Sequence, residues 1–144
     1  MSSLDLKTAE RIVDAALQHA RSSGFAPLCV AVLDAGGHLI TLKREDGASL
    51  LRPQIASGKA RACLGMGFGG RELARRAAAA PMFFTALIGL AEGNMVAVPG
   101  GVLIRDAQGV LHGAIGISGD TSDNDEACAL AGITAVHLVA ETGG

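Results

Sequence analysis

The chain has 144 residues and a formal net charge of -2, from 12 basic and 14 acidic side chains. This length predicts one domain, spanning residues 1–144, with a core of its own. The balanced charge excludes the basic stripe of a nucleic-acid binder and the polybasic patch of a membrane-surface protein. The four aromatic residues are all phenylalanine, so the stacking platforms of single-strand nucleic-acid binders are missing.

The cysteines predict neither a disulfide framework nor a structural zinc site. Cys29, Cys63 and Cys128 are odd in number, widely spaced and without a C-x-x-C pair. No apolar run is long enough to cross a bilayer, and acidic residues come too early for a secretory signal. The expected location is therefore the cytoplasm, with reduced thiols.

The first elements in chain order are a helix and a β-hairpin. Apolar residues at helical spacing predict an amphipathic helix over residues 5–22, with Asp5 as N-cap and Gly24 at its end. Residues 28–34 then form a strand that is apolar on both faces and should lie centrally in a sheet. A glycine turn at 35–37 leads into the returning strand, 38–44.

Three helices are predicted next, over residues 53–64, 71–80 and 82–90. Lys59 lies inside the first of them. It is interpreted either as a solvated surface lysine or as a cation that points into a pocket and pairs with an anionic ligand.

Residues 65–70 contain four glycines and form the most flexible stretch of the chain. They lack the Gly-Lys-Ser/Thr ending of a phosphate-binding loop, and no strand precedes them, so a nucleotide site is not expected. The segment is predicted to act as a hinge or a pocket wall, with Met66 and Phe68 as its apolar contacts.

The last third of the chain predicts three strands, over residues 95–98, 102–106 and 110–118, and a helix over 123–140. The order is then helix, hairpin, helices, three strands and helix. Hairpins toward both ends favour a mostly antiparallel sheet with helices segregated around it, which is an α+β sandwich.

The final strand is unusual because one of its faces is nearly bare. Period-two alternation places Leu111, Ile115 and Ile117 on one face and His112, Ala114, Gly116 and Ser118 on the other. Glycine inside a strand costs stability, so something packs very close to this face. A helix of the same chain, a partner subunit and a ligand are the three alternatives.

Acidic residues follow that strand and admit two interpretations. Ser122 with Asp125, or Asp123 with Glu126, could form the capping box of the last helix. Alternatively, Asp125 or Glu126 is a catalytic carboxylate, partly desolvated beside the glycine turn at Ser118.

Several motifs in order resemble the GlcG/HbpS-like haem-binding family, which also occurs as the C-terminal domain of PduO-type proteins. The resemblance spans nearly the whole chain. Its motifs are Asp34 to Leu39, Arg44, Asp46-Gly47, Lys59-Ala60, Gly100 to Ile104, Gly113 to Gly119, Asp125-Glu126 and Ala129 to Gly132. Where the family carries Phe-Gly-x-Pro-Thr, this chain has Gly67-Phe68-Gly69-Gly70-Arg71, which implies an altered pocket wall and a different ligand preference.

This resemblance implies a profilin-like α/β/α sandwich with a five-stranded, mostly antiparallel sheet. It also implies haem or another tetrapyrrole as ligand, and a homo-oligomer from dimer to octamer. His38, Cys63, Met66 and His112 are the candidate axial ligands, the two histidines being the candidate metal ligands. The remaining candidate ligand-binding residues are Phe68, Gly100, Gly101, Ser118 and Gly119.

Three function classes remain open at this point. The first is a haem-binding or haem-handling protein. The second is a cofactor-independent enzyme that moves a proton on a small organic acid, with Lys59 holding the carboxylate and Asp125 or Glu126 moving the proton. The third is an accessory assembly protein without catalysis. The exposed small-residue face at Ala127, Ala131 and Ala135 favours a symmetric homo-oligomer in each case.

Overall fold

The computed structural model describes residues 4–144, which fold into five helices and a five-stranded sheet. The predicted α+β class is confirmed, and all four strand pairings are antiparallel. Among these residues, no helix has the length and apolar character to cross a membrane. The elements in chain order are α1 Leu6–Ser23, β1 Cys29–Asp34, β2 Leu39–Arg44, α2 Arg52–Met66, α3 Gly70–Ala79, α4 Pro81–Leu90, β3 Gly101–Arg105, β4 Leu111–Ser118, α5 Ser122–Ala135 and β5 Val139–Glu141.

The sheet separates two apolar cores. Its strand order is β2-β1-β4-β3-β5, so β1 and β4 are covered on both faces. Helices α1 and α5 close one core over Val30, Ile115 and Ile117. Helix α2, with α3 and α4 beyond it, closes the other over Ala31 and Ala114. The predicted sandwich of helices around a sheet is therefore present.

The first helix and the hairpin form where the sequence predicts them. The Asp5 carboxylate accepts a hydrogen bond from the Thr8 amide at 2.8 Å, which caps α1. Gly24 ends the helix with φ 71°, a left-handed conformation that glycine adopts without strain. Strands β1 and β2 then pair across the predicted turn.

The fifth strand is not the one predicted from the residues. Residues 95–98 form no strand, and the Val96 amide instead donates to the Gly58 carbonyl on α2 at 3.1 Å. The last helix stops at Ala135 rather than continuing to residue 140, and His137 follows with φ 61°. The chain then turns back as β5, because the free edge of β3 offers unpaired backbone groups to a β-forming segment.

A β-bulge reverses the predicted faces at the start of β4. Ile104 pairs with Gly113 and Arg105 with Leu111, so His112 is the extra residue. Leu111 therefore packs on the α2 side of the sheet, not beside Ile115. The His112 ring lies instead on the side of α1 and α5. The predicted strict alternation of side chains between the two faces of the strand is therefore wrong at this end.

The second half of the glycine-rich segment is closely packed, whereas a Cβ on Gly65 or Gly67 in its first half would meet no other atom within 4 Å. Residues 65–66 complete α2, and Gly67 caps it with φ 80°. Gly69 and Gly70 are buried where the chain enters α3. A Cβ on Gly69 would lie 2.2 Å from the Thr142 carbonyl carbon. These glycines let two segments of backbone touch.

The bare face of β4 receives α2. A Cβ on Gly116 would lie 1.8 Å from the Ala56 carbonyl oxygen and 2.8 Å from the Ala60 amide nitrogen. Of the three alternatives for this face, the structure shows the helix of the same chain.

Gly116→Val should therefore destabilise the protein by about 3 kcal/mol or more, because the clash is with backbone that cannot rotate away. Valine's higher β propensity should not offset this cost. Urea unfolding measures the change, and Gly65→Val is the matched control because a Cβ there has no neighbour within 4 Å. Equal unfolding midpoints for the two variants would show that α2 is not seated on Gly116.

Candidate functional site

A buried lysine and a buried aspartate form the main polar contact inside the fold. Lys59 on α2 is 3% exposed, and Asp125 on α5 is 1% exposed. The Lys59 ammonium donates to the Ile117 carbonyl oxygen at 2.8 Å and to Asp125 Oδ2 at 3.1 Å. Asp125 Oδ1 accepts from the Asp120 amide at 3.0 Å. Both charged groups are therefore paired and hydrogen-bonded, as buried charges require.

Two consecutive glycines make room for this lysine. A Cβ on Gly100 would lie 2.7 Å from Lys59 Nζ, and one on Gly101 would lie 2.6 Å from the Lys59 carbonyl oxygen. Gly100 also has φ 108°, which side-chain-bearing residues rarely adopt. The Gly100-Gly101 pair, a sequence-predicted ligand-binding element, thus packs against the chain's own lysine.

The solvated interpretation of Lys59 is wrong, because the side chain is buried and pairs with the protein's own Asp125 carboxylate. Its pairing with an anionic ligand stays a prediction. Burial lowers the pKa of Lys59 and raises the pKa of Asp125, while their mutual attraction acts against both shifts.

Neither predicted capping box forms at α5. The N-cap is Thr121, whose hydroxyl accepts from the Asn124 amide at 3.2 Å. Asp125 cannot take part in a capping box because its carboxylate is turned inward to Lys59. Asp120 instead uses its own carboxylate to accept from the amides of Thr121 and Ala26.

Glu126 is held by an arginine of helix α3. Arg71 at the start of α3 contacts Glu126 through Nη2 at 3.0 Å and through Nε at 3.2 Å, and it contacts Asp123 at 2.7 Å. These carboxylates raise the pKa of Arg71. The catalytic roles of Lys59, Asp125 and Glu126 stay predictions, since each side chain already has a partner within the protein.

The residues predicted to form a ligand site at the start of α5 do not all lie together in the structure. The buried Ser118 hydroxyl accepts from Arg52 Nη1 at 2.9 Å, and a Cβ on Gly119 would lie 2.3 Å from the Pro27 carbonyl oxygen. Lys59 does lie close to this turn. Met66 lies about two turns further along α2 than Lys59, however, so the apolar wall and the turn are not neighbours.

His38 is the most accessible of the predicted axial ligands. Its side chain is 81% exposed in the hairpin turn. Nδ1 lies 3.2 Å from Asp34 Oδ1, and the same oxygen accepts from the amides of Gly36 and His38. These amide hydrogen bonds lower the pKa of Asp34 and keep its carboxylate charged. The ring is thus oriented by a carboxylate fixed in the turn.

The other predicted axial ligands are less accessible. His112 Nε2 is 3.1 Å from Asp106 Oδ2, and the side chain is 17% exposed. It borders a shallow pocket of about 260 Å³ beside Leu138. Cys63 is fully buried, and burial raises the pKa of its thiol to about 12. Across residues 4–144, no three His, Cys, Asp or Glu side chains converge as a metal site.

Met66 borders an apolar pocket at a corner of the fold, and Phe68 contacts its lining through Arg76. The Arg76 guanidinium lies 4.0 Å above the centre of the Phe68 ring. Met66 and Arg76 share the pocket with Phe83 and Phe84 of α4. The sequence pattern of α4 predicts only a helix, although its uncharged, mostly apolar composition was a usable signal.

The fold and these features define a compact α/β/α sandwich with ligand-sized surface pockets. The chain belongs to the family described as haem degrading protein HbpS-like, whose model matches residues 4–134. No curated protein gives a significant match.

Solved structures agree with this assignment. A crystal structure of a PduOC:heme complex is 25% identical, with a TM-score of 0.85 and 99% of each chain covered. A crystal structure of HbpS is 30% identical, with a TM-score of 0.80, covering 93% of this chain and 90% of its own. The Klebsiella pneumoniae protein ORFY is 20% identical, with a TM-score of 0.84, covering 94% of this chain and 92% of its own, and shares the fold.

Lys59→Met should destabilise the protein by about 3–5 kcal/mol at neutral pH, because it leaves the Asp125 carboxylate buried without its cation. The double variant Lys59→Met/Asp125→Leu should recover much of this loss. A carboxyl group whose pKa is raised on folding destabilises the folded state at pH values above that raised pKa. At pH values below the pKa of the same group in the unfolded chain, it has no such effect. The deficit of Lys59→Met should therefore shrink as the pH falls through the raised pKa of Asp125.

Urea unfolding from neutral to acidic pH measures both effects. Lys43→Met is the matched control, since Lys43 makes exposed ion pairs with Glu10 and Asp14 and should change stability little. A double variant as unstable as the single one would refute the explanation by an unpaired charge.

Proposed function

We propose that this protein binds haem or a related tetrapyrrole and that His38 supplies the axial ligand to the iron. Family membership and the likeness to a haem-bound PduOC structure support the ligand. The observation that carries the choice of residue is the exposed His38 ring, whose Nδ1 faces Asp34 and whose Nε2 is left for coordination.

The residues of this turn fit a haem iron. Haem iron commonly takes a histidine ligand whose second ring nitrogen is hydrogen-bonded, because that contact fixes the tautomer and makes the ligand more basic. Asp34 is placed to do this for His38. Cys63 does not fit, since its thiol is sealed in the core and has a raised pKa. When bound, haem would supply an iron with a further axial position for a small ligand.

A pocket beside the turn supports the same assignment. It has a volume of about 270 Å³ and lies between the turn glycines Gly36 and Gly37 and the C-terminal half of α2. Arg61 lines it and could pair with a propionate carboxylate, while Leu64 offers an apolar contact.

Proton transfer on a small organic acid has less support from the geometry. That function needs Lys59 and Asp125 to reach a substrate, and both are sealed from solvent against each other. Glu126 in turn is held by Arg71.

His38→Ala should remove or strongly shift the Soret band that develops when the purified protein is titrated with haem, because the iron loses its nitrogen ligand. Haem should bind at least tenfold more tightly to the wild type than to the variant, as measured by visible spectroscopy. His137→Asn is the matched control, since His137 is an exposed histidine with positive φ, which asparagine tolerates.

His112→Ala tests which of the two aspartate-paired histidines, His38 or His112, binds the iron. Loss of the band in His112→Ala, with His38→Ala unchanged, would move the iron to the other side of the sheet and contradict the assignment. No spectral change in the wild type at any haem concentration would remove the proposed function.

We also propose that the chain forms a homo-oligomer through the outer face of α4. This ten-residue helix carries no charged residue. Met82 is 87% exposed and Leu90 is 81% exposed, and a spacing of eight residues puts them about 80° apart around the helix, within one wide apolar stripe. A contiguous apolar helix face of this kind favours self-association, and an isologous contact needs only one such patch on each copy.

Met82→Glu/Leu90→Glu should shift the protein to a smaller species, because four like charges would face each other across a two-fold contact. Light scattering coupled to gel filtration measures the mass of each form. Leu50→Glu is the control, an 83% exposed leucine between β2 and α2. A monomeric wild type at micromolar concentration would contradict the proposal.

A further inference from the structure

A second pocket lies where the end of α2 meets α3 and α4, and we call it the corner pocket. Its volume is about 230 Å³. It is lined by Met66, Arg76, Ala79, Ala80, Phe83 and Phe84. The chain changes direction between α3 and α4 at Ala80, which opens the space between the two helices.

The interior of the corner pocket suits an aromatic ring. The rings of Phe83 and Phe84 meet edge to face, with centres 5.9 Å apart and planes at 82°. Aromatic edges and a methionine thioether both favour contact with a further ring. A cavity of about 150 Å³ is enough to hold benzene in an apolar core, so this one has room for a ring with a small substituent.

Arg76 is the charged residue of this lining, and two contacts orient its half-exposed side chain. The guanidinium lies 4.0 Å above the Phe68 ring, and its Nε donates to Glu72 Oε2 at 2.8 Å. The two Nη groups carry four further N–H donors in the same plane. Such a fork matches a carboxylate in a bidentate contact.

The local charge is also positive. Glu72 is shared by Arg75 and Arg76, so two cations meet one carboxylate. One unit of positive charge is left at the mouth of an apolar cavity, which favours a ligand with one negative charge and an apolar body.

We propose that the corner pocket binds a small aryl monocarboxylate, with its ring between Met66 and the phenylalanines of α4 and its carboxylate on Arg76. The site is independent of the tetrapyrrole site at His38. No covalent step is involved.

Benzoate is the probe, and benzyl alcohol is its neutral counterpart. Proton–carbon NMR of the methionine methyl groups follows binding in the whole chain. Benzoate should shift the Met66 methyl signal in a saturable way, while benzyl alcohol should bind at least tenfold more weakly.

Two variants localise the contact. Arg76→Met should weaken benzoate binding about tenfold or more, as expected for loss of a charge-assisted contact. Arg75→Met is the matched control, because Arg75 also pairs with Glu72 but does not line the pocket. It removes the same unit of charge and leaves Arg76 in place, so it should weaken benzoate binding clearly less than Arg76→Met does. Ala79→Phe should fill the pocket and abolish binding while leaving the haem titration unchanged.

Equal binding of benzoate and benzyl alcohol would overturn the proposal, and so would a Met66 methyl signal that does not move. Displacement of benzoate by haem would show that the corner pocket is part of the tetrapyrrole site, which also contradicts an independent site. A protein that binds benzoate but not haem would leave this inference standing and remove the function proposed at His38.

Discussion

The ion pair between Lys59 and Asp125 joins the two helical layers through the sheet. Helix α2 lies on one face and α5 on the other, and a continuous sheet would keep them apart. The Lys59 side chain lies beside Gly100, just before the start of β3. Its ammonium also donates to the Ile117 carbonyl of β4. One ammonium group on α2 is thus bonded both to helix α5 and to strand β4.

This contact imposes a close fit on everything around it. Because Lys59 must reach Ile117, α2 lies directly on the sheet, and its backbone leaves no room for a Cβ on Gly116 or Gly101. Buried ion pairs add little net stability compared with apolar packing, but they penalise any arrangement in which one charge loses its partner. The ion pair therefore favours a single position of α2, because a shift of this helix would leave both charges buried without a partner.

Local chemistry decided what could be predicted from the sequence. Helix α1 and the hairpin were predictable because Asp5, Gly24 and the turn glycines act on their immediate neighbours. Lys59 was not, since its partner is 66 residues away and nothing near it in the chain distinguishes a buried lysine from a solvated one. The bulge at His112 was equally hidden, because one extra residue reverses the faces without changing the pattern of residue types.

The candidate site shows the same division between local and distant contacts. The pairing of His38 with Asp34 belongs to one turn, so it depends only on neighbouring residues and not on the rest of the fold. The corner pocket depends on how three helices meet, and its arginine and phenylalanines come from segments whose patterns indicate only helices.

The two ends of the central strands have opposite character, and the proposed binding site lies at the end away from the buried ion pair. At the end near Val30 and Ile117, which pair with each other, the lysine and aspartate seal the space between the layers. At the other end, Asp34 pairs with Gly113, and the hairpin turn leaves the His38 ring in solvent. Helix α2 runs past both ends, because Lys59 is buried against the sheet and Arg61, Leu64 and Gly65 further along the helix line the pocket beside the hairpin turn. A helix anchored by a buried charge is a rigid support, and rigid support is what the site proposed at the hairpin turn requires.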